Sequence, residues 1–342
     1  MLKDRGYIQD FNTIMQHRAI SAWTKLGTDS PPKRVKVLKY NQTDDTGVCR
    51  LSEFEPPNEN IIAKRTWRNL ANIERKMYEH VLPKLPFRSL KFYGLTEDID
   101  CNYCWLFIEE FKGEKYLMSD RKQRVAIAHW IGALHSSTSD CRLTGLPERG
   151  PPDYMNRLLS ARQKIKDGLS NPTLKHDDLN LLKDINPKFD FLEAQWDRIE
   201  KFCSKIPKVV VHGDLRKENI LVRNSIEGIH IVPIDWGESG WGNPAVDLTP
   251  SCNLDILAYW SVVRRNFPTL DIRTVKRLRV IGKIFRSIAS IDWESEWLKY
   301  ELKDRFANNM RTYRSWLETA LLSEKIKMCV SAIQITLFLY KR

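Results

Sequence analysis

Residues 209–224 read VVVHGDLRKENILVRN: a β-branched apolar run, then a histidine, an aspartate, cations and an asparagine, then an apolar run again. Short apolar runs rich in valine and bounded by turn residues form buried strands, so the polar interruption falls in a loop. The second run continues into GIHIVPIDWG (228–237) as a hairpin turned near SIEG (225–228). Asp214 is thereby placed just past one strand, Asn219 at the start of the next, and Asp235 at the end of the hairpin's second arm. Loops at strand ends are where a rigid scaffold displays chemistry. Asp and the amide oxygen of Asn are hard donors suited to Mg²⁺, which takes a few protein oxygens and shares phosphate oxygens. A further aspartate can orient an attacking hydroxyl, and Arg216 and Lys217 can neutralise charge on a phosphoryl group in transit.

Upstream, residues 8–27 can form a helix broken by Pro31 and Pro32. The runs RVKVLKY (34–40) and VCRLSEF (48–54) read as strands joined by the turn formers NQTDDTG, and NENIIAKR sets a third strand ending near Lys64. TWRNLANIERKMYEHVLPKL (66–85) carries apolar residues at Leu70, Ile73, Met77 and Val81, a helical stripe. Two more strands, LKFYG (90–94) and NYCWLFIEEF (102–111), follow, a connector lies near 110–116, and helical patterns dominate from Asp120 onward. Glu74 shares the half of its helix that holds Leu70, Met77 and Tyr78. A carboxylate buried there wants a partner, and the preceding strand offers Lys64. Periodicity alone leaves open that Glu74 sits at the stripe's edge in water.

Composition bounds the alternatives. The 342 residues are 42% hydrophobic and 29% charged, enough for a substantial core and for two domains. The N-terminus MLKDRGYIQDFN is charged where a secretory signal is apolar, and the longest apolar tract, MCVSAIQITLFLY (328–340), is too short to span a bilayer, so a cytoplasmic protein is expected, with no membrane partner. Seven scattered cysteines argue against a disulfide framework, and Cys101 with Cys104 is a lone CxxC that reads as a hairpin turn. The formal charge is +12, and residues 251–342 hold 17 Lys and Arg against nine Asp and Glu. Those cations punctuate helical patterns such as RTVKRLRVIGKIFRSIAS (273–290) and read as solvated faces; no nucleic-acid signature accompanies them. His129 and His135 point to different faces of a helix, His212 alone makes no metal-hydrolase grid, and no G-x-S-x-G elbow is present.

HGDLRKEN (212–219) followed by IDWG (234–237), the strand lysine of IIAKR, the helix glutamate of NIERKMYEHVLP, and GNPAVDL (242–248), in that order, resemble the aminoglycoside phosphotransferase and choline kinase superfamily over about Ile61 to Leu248. The resemblance implies an α+β, protein-kinase-like bilobal fold: a small β-rich N-lobe at 1–111 and a larger, mainly helical C-lobe at 112–342. It implies Asp214 as the base or hydroxyl-orienting carboxylate, with Arg216 assisting transfer. Asn219 and Asp235 would ligate Mg²⁺ on the phosphates of ATP, with GTP as the alternative donor. Lys64 would bind the α- and β-phosphates, held by Glu74. Glu110 and Gly113 would mark the hinge where adenine stacks, and Asp247 would brace the catalytic loop.

The sequence departs from protein kinases in three places. Only Gly47 lies in the expected phosphate-covering loop, Trp236 replaces the phenylalanine of D-F-G, and eleven residues separate Asp235 from Asp247, with no A-P-E following. A small-molecule hydroxyl acceptor is therefore favoured over a peptide: an aminoglycoside or related antibiotic first, then a sugar or choline-like amino alcohol. A polycationic acceptor needs carboxylates, which IDWESEWLKYE (291–301) supplies as Asp292, Glu294, Glu296 and Glu301, unless these pair with Lys299 and Lys303 along a helix face. The other readings are a non-catalytic scaffold or spore-coat-like relative and a basic binding module. Oligomeric state is left open.

Overall fold

The computed structural model describes residues 4–27, 30–41, 44–55, 59–139, 145–226, 228–300 and 305–323. The tract at 328–340, Glu301 and Lys303 lie outside the described residues. In chain order, helix α1 (Asp4–Thr24) precedes strands β1 (Arg34–Asn41), β2 (Thr46–Ser52) and β3 (Ile61–Trp67), helix α2 (Arg68–Lys76), and strands β4 (Phe92–Glu97), β5 (Tyr103–Glu109) and β6 (Glu114–Lys115). Then come α3 (Arg121–Thr138), β7 (Glu148–Arg149), α4 (Pro151–Gly168), α5 (His176–Ala194), α6 (Trp196–Cys203) and β8 (Val209–Val211). The hairpin β9 (Ile220–Ser225) and β10 (Gly228–Pro233), strand β11 (Gly240–Gly242), and helices α7 (Ile256–Val263), α8 (Ile272–Ser295) and α9 (Arg305–Leu321) follow.

The chain divides into two compact units, Met1–Tyr116 with Glu218–Ser239, and Leu117–Lys217 with Gly240–Arg342. The sequence boundary at 111 and 112 treats the chain as two continuous blocks. The hairpin instead groups with the first unit, because β6 pairs antiparallel with β9, Glu114 opposite Val222. Such non-local pairing leaves no mark in a local hydrophobic pattern.

The first unit is built on a five-stranded antiparallel sheet in the order β1-β2-β3-β5-β4. Every residue of β5 (YCWLFIE) is buried, as a strand covered on both faces requires. Met15, Ala19, Ala22 and Trp23 of α1 share one core cluster with Cys49, Leu51, Ala63 and Phe107, and the Trp23 and Phe107 rings meet edge to face at 5.3 Å. Beyond β3, the buried positions of the following helical turns are Ala71, Glu74, Met77, Tyr78 and Val81, whereas Leu70 and Ile73 are only half-buried. The expected stripe is thus rotated, so that the carboxylate of Glu74 lies at its centre. Gly47 lies in β2 with the Met15 methyl packed over it, 2.5 Å from where a Cβ would stand. Its small size serves core packing.

The second unit is helical around a three-stranded sheet in the order β7-β11-β8. A Cβ on Gly242 would lie 1.6 Å from the Arg149 carbonyl oxygen, so only glycine permits β11 to pair there. Helix α8 is buried along most of its second half and packs on α4 and α9; Phe285 stacks on Tyr154 at 4.2 Å. Gly282 brings α8 against the turn at 244–247, where a Cβ would come within 2.2 Å of the Ala245 carbonyl oxygen. The basic face of α8 is solvated at Arg273 and Lys276, as expected, but Arg286 is buried.

No helix among the described residues is long and apolar enough to cross a membrane, and none of the described cysteines forms a disulfide. Cys101 lies in the turn between β4 and β5, and Cys104 is buried in β5.

Candidate active site residues in the two units

In the first unit, β3 presents Lys64, α2 presents Glu74, and the segment after β10 presents Asp235. The Lys64 ammonium donates to Glu74 Oε2 at 2.7 Å and to Asp235 Oδ1 at 2.5 Å. The Glu74 side chain is 1% exposed and that of Asp235 45%. One carboxylate is therefore committed to holding the lysine, while the other faces outward. Burial alone would push the Lys64 pKa down, but the carboxylates of Asp235 and Glu74 overcome it and hold the value above that of an ordinary lysine. Burial pushes the Glu74 pKa up, with Lys64 and the Trp236 backbone N–H opposing it.

Asp235 has φ 67° and ψ 64°, the left-handed region that costs a non-glycine residue about 1–2 kcal/mol. Surrounding packing enforces it: Trp236 is fully buried, its indole N–H donates to the Pro233 carbonyl at 3.2 Å, and Gly237 lies against Leu70 of α2. Asn219, 5% exposed, ends the single turn at Lys217–Asn219. Its carbonyl accepts from the Ile234 N–H at 2.9 Å, tying the asparagine to the residue before Asp235.

The hinge residues are placed differently. The Glu110 carboxylate accepts from Arg50 Nε at 2.7 Å and from Asn60 Nδ2 at 2.8 Å, so its side chain is committed to the fold. Gly113 precedes β6 in close approach to Val222, whose carbonyl oxygen is 2.8 Å from where a Cβ would stand.

In the second unit, β8 delivers His212, Gly213 and Asp214, and Asp247 braces them. Asp247 Oδ2 accepts from the His212 N–H at 2.8 Å and Oδ1 from the Gly213 N–H at 3.1 Å. His135 Nε2 lies 3.1 Å from the same carboxylate, and its Nδ1 lies 2.8 Å from the Tyr259 hydroxyl. A carboxylate only accepts, so Nε2 carries the proton and Nδ1 accepts from Tyr259, whose phenol burial keeps protonated. Gly213 adopts φ 82°, which turns Asp214 out of the strand direction.

Asp214 is 8% exposed. Its Oδ1 accepts from an Arg286 guanidinium nitrogen at 2.5 Å, and its Oδ2 lies 3.1 Å from Arg216 Nε. Arg216 thus pairs with the aspartate two residues before it, and Arg286, an arginine absent from the sequence expectation, reaches it from α8. The acids of 291–296 are occupied. Asp292 accepts from Ser160 Oγ at 2.7 Å and Lys164 Nζ at 2.9 Å. Glu296 pairs with Lys164 at 3.1 Å and with Lys299. Glu294 accepts from Asn309 at 3.0 Å, with its pKa raised by burial. The expected pairing with Lys299 holds for Glu296, while a lysine on α4 takes Asp292.

Among the described residues no group of three His, Cys, Asp or Glu side chains could hold a metal. Mg²⁺ does not require one: it binds through one or two protein oxygens and the substrate's phosphates. A carboxylate such as that of Asp235, half-exposed, and an amide oxygen such as that of Asn219, whose main chain is tied to the residue before Asp235, are hard-oxygen donors of the kind the ion takes, so the chemistry of these residues fits it.

Replacing Lys64 by methionine is expected to destabilise the protein by about 1–3 kcal/mol, because Glu74 loses its cation inside the core. The denaturant midpoint reads it, and a second substitution, Glu74→Gln, should recover part of the loss. Since the folded pKa of Lys64 lies above its ordinary 10.5, this stabilisation is fully present below pH 10.5 and is lost as pH rises through the folded value.

A family model described as the phosphotransferase enzyme family (APH) matches residues 66–277. The match takes in Glu74, Asp214, Asn219, Asp235 and Asp247, begins two residues after Lys64, and ends before Arg286. No curated protein sequence matches the chain. Among solved structures, an ethanolamine kinase of Plasmodium vivax is 18% identical, covering 85% of this chain and 83% of its own, with a TM-score of 0.55. A choline kinase from Cryptosporidium parvum is 14% identical over 97% and 99% of the two chains, with a TM-score of 0.60. The GDP complex of an aminoglycoside 2′-phosphotransferase is 13% identical over 91% and 99%, with a TM-score of 0.63. At these identities the likeness is one of fold, the protein-kinase-like α+β fold.

Proposed function

The chain belongs to the phosphotransferase enzyme family, and from that premise we propose that it transfers the γ-phosphate of ATP, with Mg²⁺, to a hydroxyl of a small molecule. The observation that carries this reading is the Lys64 ammonium fixed between Glu74 and Asp235. A cation held in place by a buried carboxylate is a ready partner for nucleotide phosphates, and the half-exposed Asp235 carboxylate has the oxygen chemistry that Mg²⁺ takes. Asp235 and Asn219 would hold Mg²⁺, which when bound neutralises charge on the β- and γ-phosphates.

Asp214 would orient the acceptor hydroxyl and take its proton. The alcohol oxygen forms the new P–O bond, the bond from the γ-phosphorus to the bridging oxygen breaks, and ADP leaves with that electron pair. Arg216 would steady charge on the phosphoryl group. With the Glu110 carboxylate committed to Arg50 and Asn60, recognition of the base at 110–113 falls to main-chain groups. GTP remains the alternative donor, a cytoplasmic setting remains the expectation, and no nucleic-acid or membrane partner is invoked.

The aminoglycoside expectation comes from the family resemblance, and the acids at 292–296 offered for a polycation are engaged by Lys164, Ser160, Asn309 and Lys299. Those carboxylates therefore lend a polycationic acceptor no support. The test is transfer from ATP and from GTP to kanamycin, glucose and choline, with Mg²⁺ and with excess chelator. Transfer that needs Mg²⁺ is expected. Nucleotide binding that is absent, or a chain that binds nucleotide identically with and without Mg²⁺ and never transfers, supports the scaffold reading instead.

A further inference from the structure

The polar groups around Asp214 are matched unevenly. Both of its oxygens face guanidinium groups, one from Arg286 and one from Arg216. Arg286 is 7% exposed, and its Nε is buried without a hydrogen-bond partner. Its guanidinium carbon lies 5.0 Å from the Trp293 ring centre, and that of Arg157 lies 5.3 Å from the same ring. Arg157 pairs with Asp153, which Arg149 shares. Tyr313 lies within electrostatic reach of Arg286, Arg216 and Asp214.

Two guanidinium groups, those of Arg286 and Arg216, thus stand against the one carboxylate of Asp214, while Asp292 and Glu296 answer Lys164 and Lys299. The Glu294 carboxylate is held by Asn309 at 3.0 Å. Local charge therefore favours an anion, and a polycation approaching Asp214 would meet guanidinium groups first. A planar guanidinium matches a carboxylate or phosphate through two parallel hydrogen bonds, and Arg286 holds a donor in reserve at Nε. As the structure stands, both oxygens of Asp214 are in ion-pair contact, and an acceptor's anion is what could draw a guanidinium off one of them.

We propose that the acceptor carries an anionic group, carboxylate or phosphate, near its reacting hydroxyl, and that Arg286, with Arg216, is the specificity determinant that binds it. Binding moves the Arg286 guanidinium from Asp214 Oδ1 to the acceptor's anion and gives that oxygen to the hydroxyl. The inference rests on the kinase reading above and concerns only the acceptor.

The test compares glucose, gluconate, glucose 6-phosphate and kanamycin as acceptors, for the wild type and for the Arg286→Gln and Arg286→Lys variants. At least a tenfold higher kcat/KM is expected for gluconate or glucose 6-phosphate than for glucose, with none for kanamycin. Whichever of the two is preferred tells carboxylate from phosphate. Arg286→Gln should erase the preference mainly through KM, and Arg286→Lys should keep part of it, since charge survives and the fork does not. Preference for glucose or kanamycin in the wild type, or an anion preference unchanged in Arg286→Gln, overturns the proposal.

Calorimetric titration of gluconate and inorganic phosphate without nucleotide separates this proposal from the kinase reading. Saturable binding of either, weakened at least tenfold in Arg286→Gln but not in Lys64→Met, is expected even if no panel member accepts phosphate. Absence of such binding, or equal binding by Arg286→Gln, overturns the anion site whatever the ATP result. Binding with no nucleotide affinity would spare the anion site and sink the kinase reading. Unchanged nucleotide affinity in Arg286→Gln, and an unchanged circular-dichroism spectrum in Lys64→Met, show that the variants are folded.

Discussion

Replacing Asp214 by asparagine is expected to lower kcat by about 10²- to 10⁴-fold, the usual worth of a positioned general base, while nucleotide affinity stays within a few-fold of the wild type. The asparagine has nearly the same shape and can still accept from Arg286 through its amide oxygen. Its NH₂ displaces only the partly exposed guanidinium of Arg216, which water can satisfy, so gross rearrangement of the loop is not the cause. What is lost is the negative charge and the site for the hydroxyl's proton. Lys64, Glu74, Asn219 and Asp235 are untouched, which is why binding and turnover should separate. Steady-state kinetics beside calorimetric nucleotide titration measures both. A variant that keeps its kcat assigns the proton to another group; one that loses nucleotide affinity in proportion makes Asp214 a structural residue.

Asp247→Ala is expected to destabilise the second unit by about 3–5 kcal/mol, the range for removing one partner from a buried charged network. Asp247 and His135 are both wholly buried, and the carboxylate accepts from two backbone N–H groups and the imidazole. Alanine leaves all three donors without a partner and without water, each at about 1–3 kcal/mol. Asp247→Asn rescues little, because its NH₂ must face one of those donors. Urea unfolding measures the change. A loss below about 1 kcal/mol would mean that water or a rotated His135 replaces the carboxylate, and Asp247 would not be the brace of the Asp214 loop.

The candidate residues that were legible in the sequence are those whose placement is local. Asp214, Asn219 and Asp235 sit at strand ends, and a period-two apolar pattern reveals strand ends. Lys64 and Glu74 are ten residues apart across a strand and its following helix, close enough for one buried carboxylate to suggest its cation. Even there the buried face is rotated by one position from the apolar stripe, because an ion-paired glutamate can occupy the centre of a face that hydropathy assigns to Leu70 and Ile73. Gly47 looked like the remnant of a phosphate loop, whereas it accommodates Met15 from a helix far off in the chain.

Contacts that depend on the fold of the whole unit left no such trace. Arg286 lies 72 residues from Asp214, inside a helix whose first cations, Arg273 and Lys276, are solvated, so its charge reads as surface. The signal that could have found it is its setting, an arginine amid Ile284, Phe285, Ile288 and Ala289 in a stretch too apolar to be an outer face. His135 and Asp247 are 112 residues apart, and only the packing of α3 against the chain after β11 pairs them. Likewise Lys164, on α4, took the acid expected to pair along its own helix.

The central claim is that this chain moves a phosphoryl group from a nucleotide to an alcohol oxygen. The most direct measurement is transfer of label from γ-labelled ATP to an acceptor in the presence of Mg²⁺, with the product's phosphate ester identified by phosphorus NMR. The expected result is a new ester on the acceptor's hydroxyl, one ADP per ester, absent with chelator and absent from Asp214→Asn. Label released only as inorganic phosphate, or an ester formed equally by Asp214→Asn, would contradict it.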